Sequence, residues 1–334
     1  MTSKHHTSRP RLGFLGTGWI GRHRMEAIHR SGEAEITAIA DISPENARQA
    51  AKIAPEAVLV DSLDDLLSMK KLDGIVIATP SACHSSQAIQ ALDAGFSVFC
   101  QKPLARTAKE TGQVIDAARK ADRLLSVDFS YRYTDGFQKI HSLAKSGGLG
   151  DIYAADLVFH NAYGPDKPWF YDAALSGGGC LMDLGTHLID LALWVLDFPR
   201  LKAVSSSIYA GGTRLNGPGA VEDYAVASLG LENGSIVRIA CSWNLPAGQD
   251  AVIESTFFGT RGGARFSNIN GSFYDFTAER FTGTSRETLS VPPEDWGGRA
   301  AQAWVRQLKD GGSFAPATEN LLLTAAALDA AYGR

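Results

Sequence analysis

The chain is short of cysteine, of uninterrupted apolar runs and of excess charge, and each shortage closes a class of function. Its four cysteines, Cys83, Cys100, Cys180 and Cys241, form no CxxC pair in 334 residues. Neither a disulfide framework nor a zinc ribbon is indicated, and the thiols are expected to be buried. No stretch reaches the ~18 consecutive apolar residues of a membrane span. The most apolar segment, Leu181 to Phe198, is interrupted by Asp183, His187, Asp190 and Asp197. With 36 acidic against 32 basic residues the net charge is −4, so no nucleic-acid-coating surface is expected. The polar N-terminal segment Met1 to Pro10 lacks the apolar core of a secretory signal, which makes a cytoplasmic location the expectation. No metal cluster is predicted.

What remains is an ordinary soluble composition, 45% hydrophobic and 20% charged, in a chain long enough for two domains, because single cores stop growing beyond about 250–300 residues. The one excess is glycine, 34 residues, and it is clustered. From Arg11 to Asp128 short apolar runs alternate with amphipathic stretches, the rhythm of βαβ units around a parallel sheet. Strands are predicted at Leu12–Leu15, Glu35–Ala40, Val58–Val60, Gly74–Ala78, Ser97–Cys100 and Leu124–Val127. Residues 1–128 are therefore expected to form an α/β doubly wound dinucleotide (Rossmann) domain. Residues 129–334 read as an α+β domain with a mostly antiparallel sheet between Lys202 and about Phe281 and a final helix at Glu319–Ala331. Asn233-Gly234 predicts a two-residue hairpin turn, and Gly259–Gly263 a second turn.

Gly16-Thr17-Gly18-Trp19-Ile20-Gly21 follows the first strand and opens the first helix. Glycines so placed allow a tight turn, close approach of a pyrophosphate and helix-on-strand packing, while the helix N-terminus supplies free N–H groups. Asp41 ends the second strand about 20 residues later, where a carboxylate accepts from ribose hydroxyls and repels a 2′-phosphate. The alternative is that it caps the helix beginning near Pro44. NAD is accordingly predicted over NADP. Farther on, Gln101-Lys102-Pro103 follows the fifth strand at the sheet edge where ligands bind. In the block Gly177-Gly178-Gly179-Cys180-Leu181-Met182-Asp183-Leu184-Gly185-Thr186-His187, Asp183 and His187 stand four apart and share one face of a predicted helix. A carboxylate beside an imidazole raises its proton affinity, which suits proton exchange near neutral pH.

Taken together, these segments resemble the Gfo/Idh/MocA oxidoreductases. The likeness runs over nearly the whole length and rests on the Gly16–Gly21 start, Thr79-Pro80-Ser81 with His84, Ala94 to Val98 leading into Lys102-Pro103-Leu104, Tyr131-Arg132-Tyr133, Gly147 to Ile152 and the Gly177–His187 block. The resemblance implies a Rossmann domain followed by an open-faced sheet domain that packs in homo-oligomers, dimer or tetramer, with NAD(P) at the interdomain cleft. It implies Lys102, Asp183 and His187 as the catalytic trio, with His187 as general base, Asp183 orienting it and Lys102 polarising the substrate oxygen. The cofactor would be held by Gly16, Thr17, Gly18, Trp19, Ile20, Gly21, Asp41, Thr79, Pro80, His84, Gln101 and Lys102. Tyr131, Arg132, His160, Asn161 and Trp169, with Asp183 and His187, would face the substrate. One departure stands out: the family usually has Glu before Lys-Pro, whereas this chain has Gln101.

The expected activity is therefore hydride transfer between NAD and a hydroxyl or keto carbon of a small sugar, polyol or inositol. An NAD-dependent glycoside hydrolase would differ by releasing an aglycone without lasting NADH absorbance, and a non-catalytic NAD-binding regulator by showing no turnover. The cofactor expectation is checked by equilibrium binding: NADH should bind more tightly than NADPH, and the reverse order would remove the role assigned to Asp41.

Overall fold

The computed structural model describes residues 9–215 and 220–334; the polar segment before Arg9 lies outside the described residues. It divides into two compact units. The first contains β1 (Arg11–Leu15), α1 (Trp19–Ser31), β2 (Glu35–Ala40), α2 (Pro44–Ile53), β3 (Val58–Val60), α3 (Leu63–Ser68), β4 (Gly74–Ile77), α4 (Ser81–Asp93), β5 (Ser97–Cys100), α5 (Ala108–Ala121) and β6 (Leu125–Val127). All six strands are parallel, in the order β3-β2-β1-β4-β5-β6. The order reverses between β1 and β4, so the loops after these strands border the crevice where ligands of such sheets bind. Phe14, Ile75, Val76 and Phe99 are fully buried in the sheet, as strands covered on both faces require.

The second unit takes Arg106–Ala108 and then runs from Tyr131, within a 3₁₀ turn at Ser130–Tyr133, into α6 (Asp135–Lys145), whose N-cap Thr134 accepts from Phe137 N at 3.3 Å. Then come β7 (Ile152–Asn161), a 3₁₀ turn at Pro168–Tyr171, α7 (Ala173–Ser176), a π-helical turn at Leu181–Gly185 and α8 (Thr186–Val195). The strands β8 (Leu201–Ala210), β9 (Thr213–Arg214), β10 (Tyr224–Leu231), β11 (Ile236–Ser242), β12 (Ala251–Gly259), β13 (Gly263–Asn268), β14 (Phe276–Thr282) and β15 (Ser285–Ser290) complete a sheet ordered β15-β14-β13-β12-β7-β11-β10-β8-β9. Every pairing is antiparallel except β7 with β11. α6, α8 and the final helix pack on one face, over Leu157, Leu229, Val237, Phe257 and Phe266. Strand alternation turns Asp156, Val158, His160 and Arg238 to the other face.

After β15 the chain returns to the first unit. Residues 297–319 belong to it, with α9 (Arg299–Lys309) packed against α1 and β5, and α10 (Leu321–Tyr332) rejoins the second unit. The single division expected at 128/129 thus does not describe the path of the chain, because an amphipathic helix far downstream in the sequence carries no local mark of the sheet it covers. Trp304, 1% exposed, lies 5.7 Å from the Phe99 ring. A Cβ on Gly74 would come within 2.7 Å of the indole, so the glycine makes room for it.

The Asn233-Gly234 turn also differs from expectation. Leu231 and Ser235 form the closing pair, leaving a three-residue loop in which only Gly234, at φ 89°, is left-handed, and Asn233 Oδ1 accepts from Ser235 N at 3.0 Å. That is the three-residue hairpin with glycine at its αL position. Among the described residues no helix is long and apolar enough to cross a membrane. Trp304→Ala should destabilise the first unit by about 3–5 kcal/mol through the cavity left behind, read as a lowered urea midpoint with weakened NADH binding.

Candidate active site

The nucleotide loop is built from constraints that only glycine meets. Gly16 has φ 83°, and a Cβ there would lie 2.7 Å from the Ala78 carbonyl carbon. Gly21 packs its Cα against the Gly16 carbonyl, leaving no space for a side chain. At Gly18 the situation is reversed: an added Cβ would meet nothing within 4 Å. Packing of the protein does not demand glycine there; an approaching ligand would. Gly18 is also the N-cap of α1 and contributes no side-chain cap, which fits the amides to a phosphate. The donor set and the open cradle therefore fit a dinucleotide.

Asp41 serves the loop directly. Its Oδ2 accepts from Thr17 N at 2.5 Å and Thr17 Oγ1 at 3.0 Å, and its Oδ1 from Ser43 N at 2.8 Å. The cap of α2 is Ser43, which accepts from Asn46 N at 3.3 Å, so Asp41 is not the helix cap. Three of its roughly four lone-pair positions are used, and one on Oδ1 is left for a ribose hydroxyl. Trp19 and Ile42 stand beside this loop 61% and 98% exposed. Arg22, which sequence reasoning passed over, closes the loop from beneath: Nη1 donates to Thr17 O at 2.6 Å and to Asn46 Oδ1 at 3.2 Å.

His84 does not offer a ring nitrogen to a ligand. It is 1% exposed, with Nδ1 2.7 Å from Pro103 O and Nε2 2.7 Å from Thr79 O. Burial holds its pKa below the ordinary histidine value, against the pull of the two carbonyls. It ties the Thr79-Pro80 turn after β4 to the Lys102-Pro103 turn after β5. Gln101 is likewise turned inward, donating from Nε2 to Asp128 Oδ2. Both are placed to support the cofactor edge from within the domain, unlike the ligand contacts expected of them.

In the second unit the glycine block has a physical cause that lies outside it. Glu222, fully buried, accepts from Gly179 N at 2.9 and 3.0 Å, from Leu181 N at 2.9 Å and from Tyr332 Oη at 2.8 Å. A side chain on Gly179 would strike the Glu222 backbone, and one on Gly178 the Tyr332 hydroxyl. Gly177, at φ 86°, ends α7 in the left-handed conformation. Burial raises the Glu222 pKa while its donors oppose the rise, and the helix N-terminus favours the negative charge. Sequence reasoning missed Glu222 because an isolated acidic residue before a strand carries no local signal.

From this anchor the chain enters a π-helical turn that carries Asp183 and continues into α8, which carries His187. The regular α-helical face expected for the pair is thus interrupted by a wider turn, a feature frequent at functional sites. Gly185 within it spares a clash of a Cβ with Leu181 Cδ1 at 2.6 Å. Trp243 Nε1 donates to Asp183 Oδ2 at 3.2 Å, and Trp243 makes edge contacts with Phe170 and Tyr171 at 6.2 and 5.7 Å. His187, 8% exposed, meets Tyr131 edge-on at 5.0 Å.

The remaining residues expected to face the substrate divide. Tyr131 is in the core, against Phe159, Phe276 and Trp296 as well as His187. Arg132 forms a two-pronged pair with buried Asp190, Nε to Oδ2 at 2.7 Å and Nη2 to Oδ1, and lies over the rings of Trp194 and Phe198. It fastens α8 and does not present its fork to a ligand. Burial raises the Asp190 pKa and Arg132 counters it. His160 is on the opposite face of the sheet, its Nδ1 2.8 Å from Ser242 Oγ and its ring stacked on Tyr224; strand alternation turns it away from the face that α8 covers. Asn161, the next residue, alternates back, and its Oδ1 is buried without a hydrogen-bond partner. Its carbonyl accepts from Leu245 N at 2.9 Å, two residues beyond Trp243. Trp169 is half-buried and stacks on Phe170 at 3.8 Å.

With this geometry in view, two family descriptions match the chain: "Oxidoreductase family, NAD-binding Rossmann fold" over residues 11–129 and "GFO/IDH/MocA C-terminal domain" over residues 137–265. The chain belongs to the Gfo/Idh/MocA oxidoreductase family, and its first unit is an NAD-binding Rossmann domain. It is 28% identical over 275 residues to a D-glucoside 3-dehydrogenase of Escherichia coli K12, covering 77% of each chain. It is 30% identical over 239 residues to a glucose-6-phosphate 3-dehydrogenase of Bacillus subtilis 168, covering 70% of this chain and 67% of that one. Among solved structures it resembles GenD2 from gentamicin A biosynthesis in complex with NAD, with TM-score 0.83 and 25% identity over 100% of this chain and 96% of the other. Glu222→Gln tests the anchor. The amide leaves one acceptor oxygen for donors that now share two, and its NH₂ faces Gly179 N–H, so stability to urea should fall by about 1–3 kcal/mol, with turnover falling alongside.

Proposed function

We propose that the protein oxidises or reduces one carbinol of a small sugar, polyol or inositol with NAD. The names of the two relatives described above, both 3-dehydrogenases of glucose derivatives, support a hexose ring as the first class to test. The observation that carries the reading is the sealed anchor Glu222 at the start of a π-helical turn that carries Asp183 and runs directly into α8, which carries His187. Gly16, Thr17, Gly18 and Gly21 would hold the pyrophosphate, and Asp41 the adenosine ribose, which favours NAD over NADP. The bound nicotinamide supplies a hydride acceptor or donor at its C4.

The chain's own residues supply the proton chemistry. His187 takes the hydroxyl proton from the substrate as general base, and the carboxylate of Asp183 stabilises the imidazolium that results. Lys102 donates to the substrate oxygen and stabilises its developing negative charge. Tyr131 fixes the His187 ring by its edge contact, and Trp243 fixes Asp183 by its indole N–H. Asn161 offers an acceptor that the protein itself leaves unused, suited to a second substrate hydroxyl. On the outward sheet face Ile236, Ala154 and Phe258 lie side by side, Ile236 and Phe258 45% and 36% exposed, which supports a homo-oligomer.

A panel of aldoses, glucosides, polyols, inositols and keto-sugars assayed with NAD and NADH by cofactor absorbance should give turnover with at least one member. His187→Ala should lower kcat by about 100-fold or more while leaving the NADH dissociation constant within about threefold. Undiminished turnover in that variant would overturn the assignment.

A further inference from the structure

Beneath the Lys102 turn lies a buried polar network that the proposed reaction does not use. Asp128, 1% exposed at the end of β6, receives Gln101 Nε2 and Arg24 Nε on the same oxygen, Oδ2, the latter at 2.5 Å. Gln101 and Arg24 are 7% and 5% exposed. Arg24 Nη1 in turn donates to His23 Nδ1 at 2.7 Å, and His23 stacks on Trp19 of the nucleotide loop. The other carboxylate oxygen, Asp128 Oδ1, is buried and has no hydrogen-bond partner. Such a group is costly to retain for stability alone.

The chemistry of this cluster admits one carboxylate. Arg24 balances one negative charge, and the residue facing Oδ2 from position 101 must donate. A glutamate at 101 would set two carboxylates against each other in a dry pocket, which raises one pKa strongly or breaks the contact. Glutamine is the isosteric donor. The main chain reinforces the link, since Asp128 N donates to Cys100 O at 2.9 Å and Gln101 N to Ile77 O at 2.9 Å. The residue after this clamp is Lys102.

We propose that Asp128 is the positioning residue for Lys102: its carboxylate, balanced by Arg24, holds the Gln101 side chain and with it the turn that presents the lysine. The negative charge of this site is carried on β6, where residue 101 is neutral. This rests on the role proposed above for Lys102. Three variants, Asp128→Asn, Gln101→Glu and the double Gln101→Glu/Asp128→Asn, separate a charge requirement from mere packing.

The Asp128→Asn variant should lose at least about tenfold in kcat with its NADH dissociation constant within about threefold of wild type, because Arg24 remains in place. The Gln101→Glu variant should lose more, and the double variant, which restores one carboxylate and one amide, should recover most of the loss. Hydrogen exchange of the peptide spanning Cys100 to Leu104 should quicken in both singles and slow again in the double variant. This second readout needs no turnover. Wild-type inactivity on every substrate would overturn the function and leave the clamp to be judged by exchange alone. Wild-type kcat in the Asp128→Asn variant, or a double variant no better than the worse single in both readouts, would overturn the positioning role.

Discussion

A buried carboxylate fixes the start of the π-helical turn and of α8. Glu222 is sealed at the start of the π-helical turn, where three backbone contacts and the Tyr332 hydroxyl take up its lone pairs. Buried charge is tolerated only when its partners are fixed in good geometry, so the partners cannot move without a large cost. That requirement propagates outward. The main chain at Gly178 and Gly179 must run against the Glu222 backbone and the Tyr332 ring, which removes every side chain larger than hydrogen. The helix that follows then starts from a defined point and direction, and Asp183 and His187 inherit that precision.

A comparable economy holds the nucleotide loop. Thr17 is fully buried and gives both its amide and its hydroxyl to one oxygen of Asp41. The loop after β1 is therefore fastened to the end of β2 by the same carboxylate that the reading assigns to the ribose. On the far side Gly16 lies against Ala78 and Thr79, and His84 draws the Thr79 carbonyl and the Pro103 carbonyl to one ring. The ends of four neighbouring strands, β2, β1, β4 and β5, are thus linked by short polar contacts in addition to their ladders.

What could be read from the amino-acid order followed from how far each determinant reaches. The parallel strands were legible almost to the residue, since Glu35–Ala40, Val58–Val60 and Ser97–Cys100 are marked by their own apolar runs and turn residues. The Gly16–Gly21 loop was legible for the same reason. The cause of the Gly177–Gly179 run was not, because Glu222 and Tyr332 lie more than 40 and 150 residues beyond it. α9 went unseen as part of the first unit, and β7 was not distinguished before the structure placed it between β12 and β11. His160 shows the finest limit: the strand's register decides its face, and a period of two inverts the outcome with one residue. Arg132 was expected beside the substrate through the family resemblance, which carries no information on its partner. Its partner, Asp190, is 58 residues away on α8.

The distribution of carboxylates separates architecture from chemistry. Asp128, Asp190 and Glu222 are all within 1% of full burial, and each is met by fixed donors: Arg24 with Gln101 at Asp128, Arg132 at Asp190, and the neutral amides of Gly179 and Leu181 with the Tyr332 hydroxyl at Glu222. Asp183 differs, being only partly buried and receiving on Oδ2 a neutral indole N–H. A neutral donor orients a carboxylate without cancelling its charge, whereas a paired guanidinium does both. Arginine is thus paired with two of the carboxylates that hold the fold, Asp128 and Asp190, whereas Glu222 is held by neutral donors and the Trp243 indole N–H helps to orient Asp183.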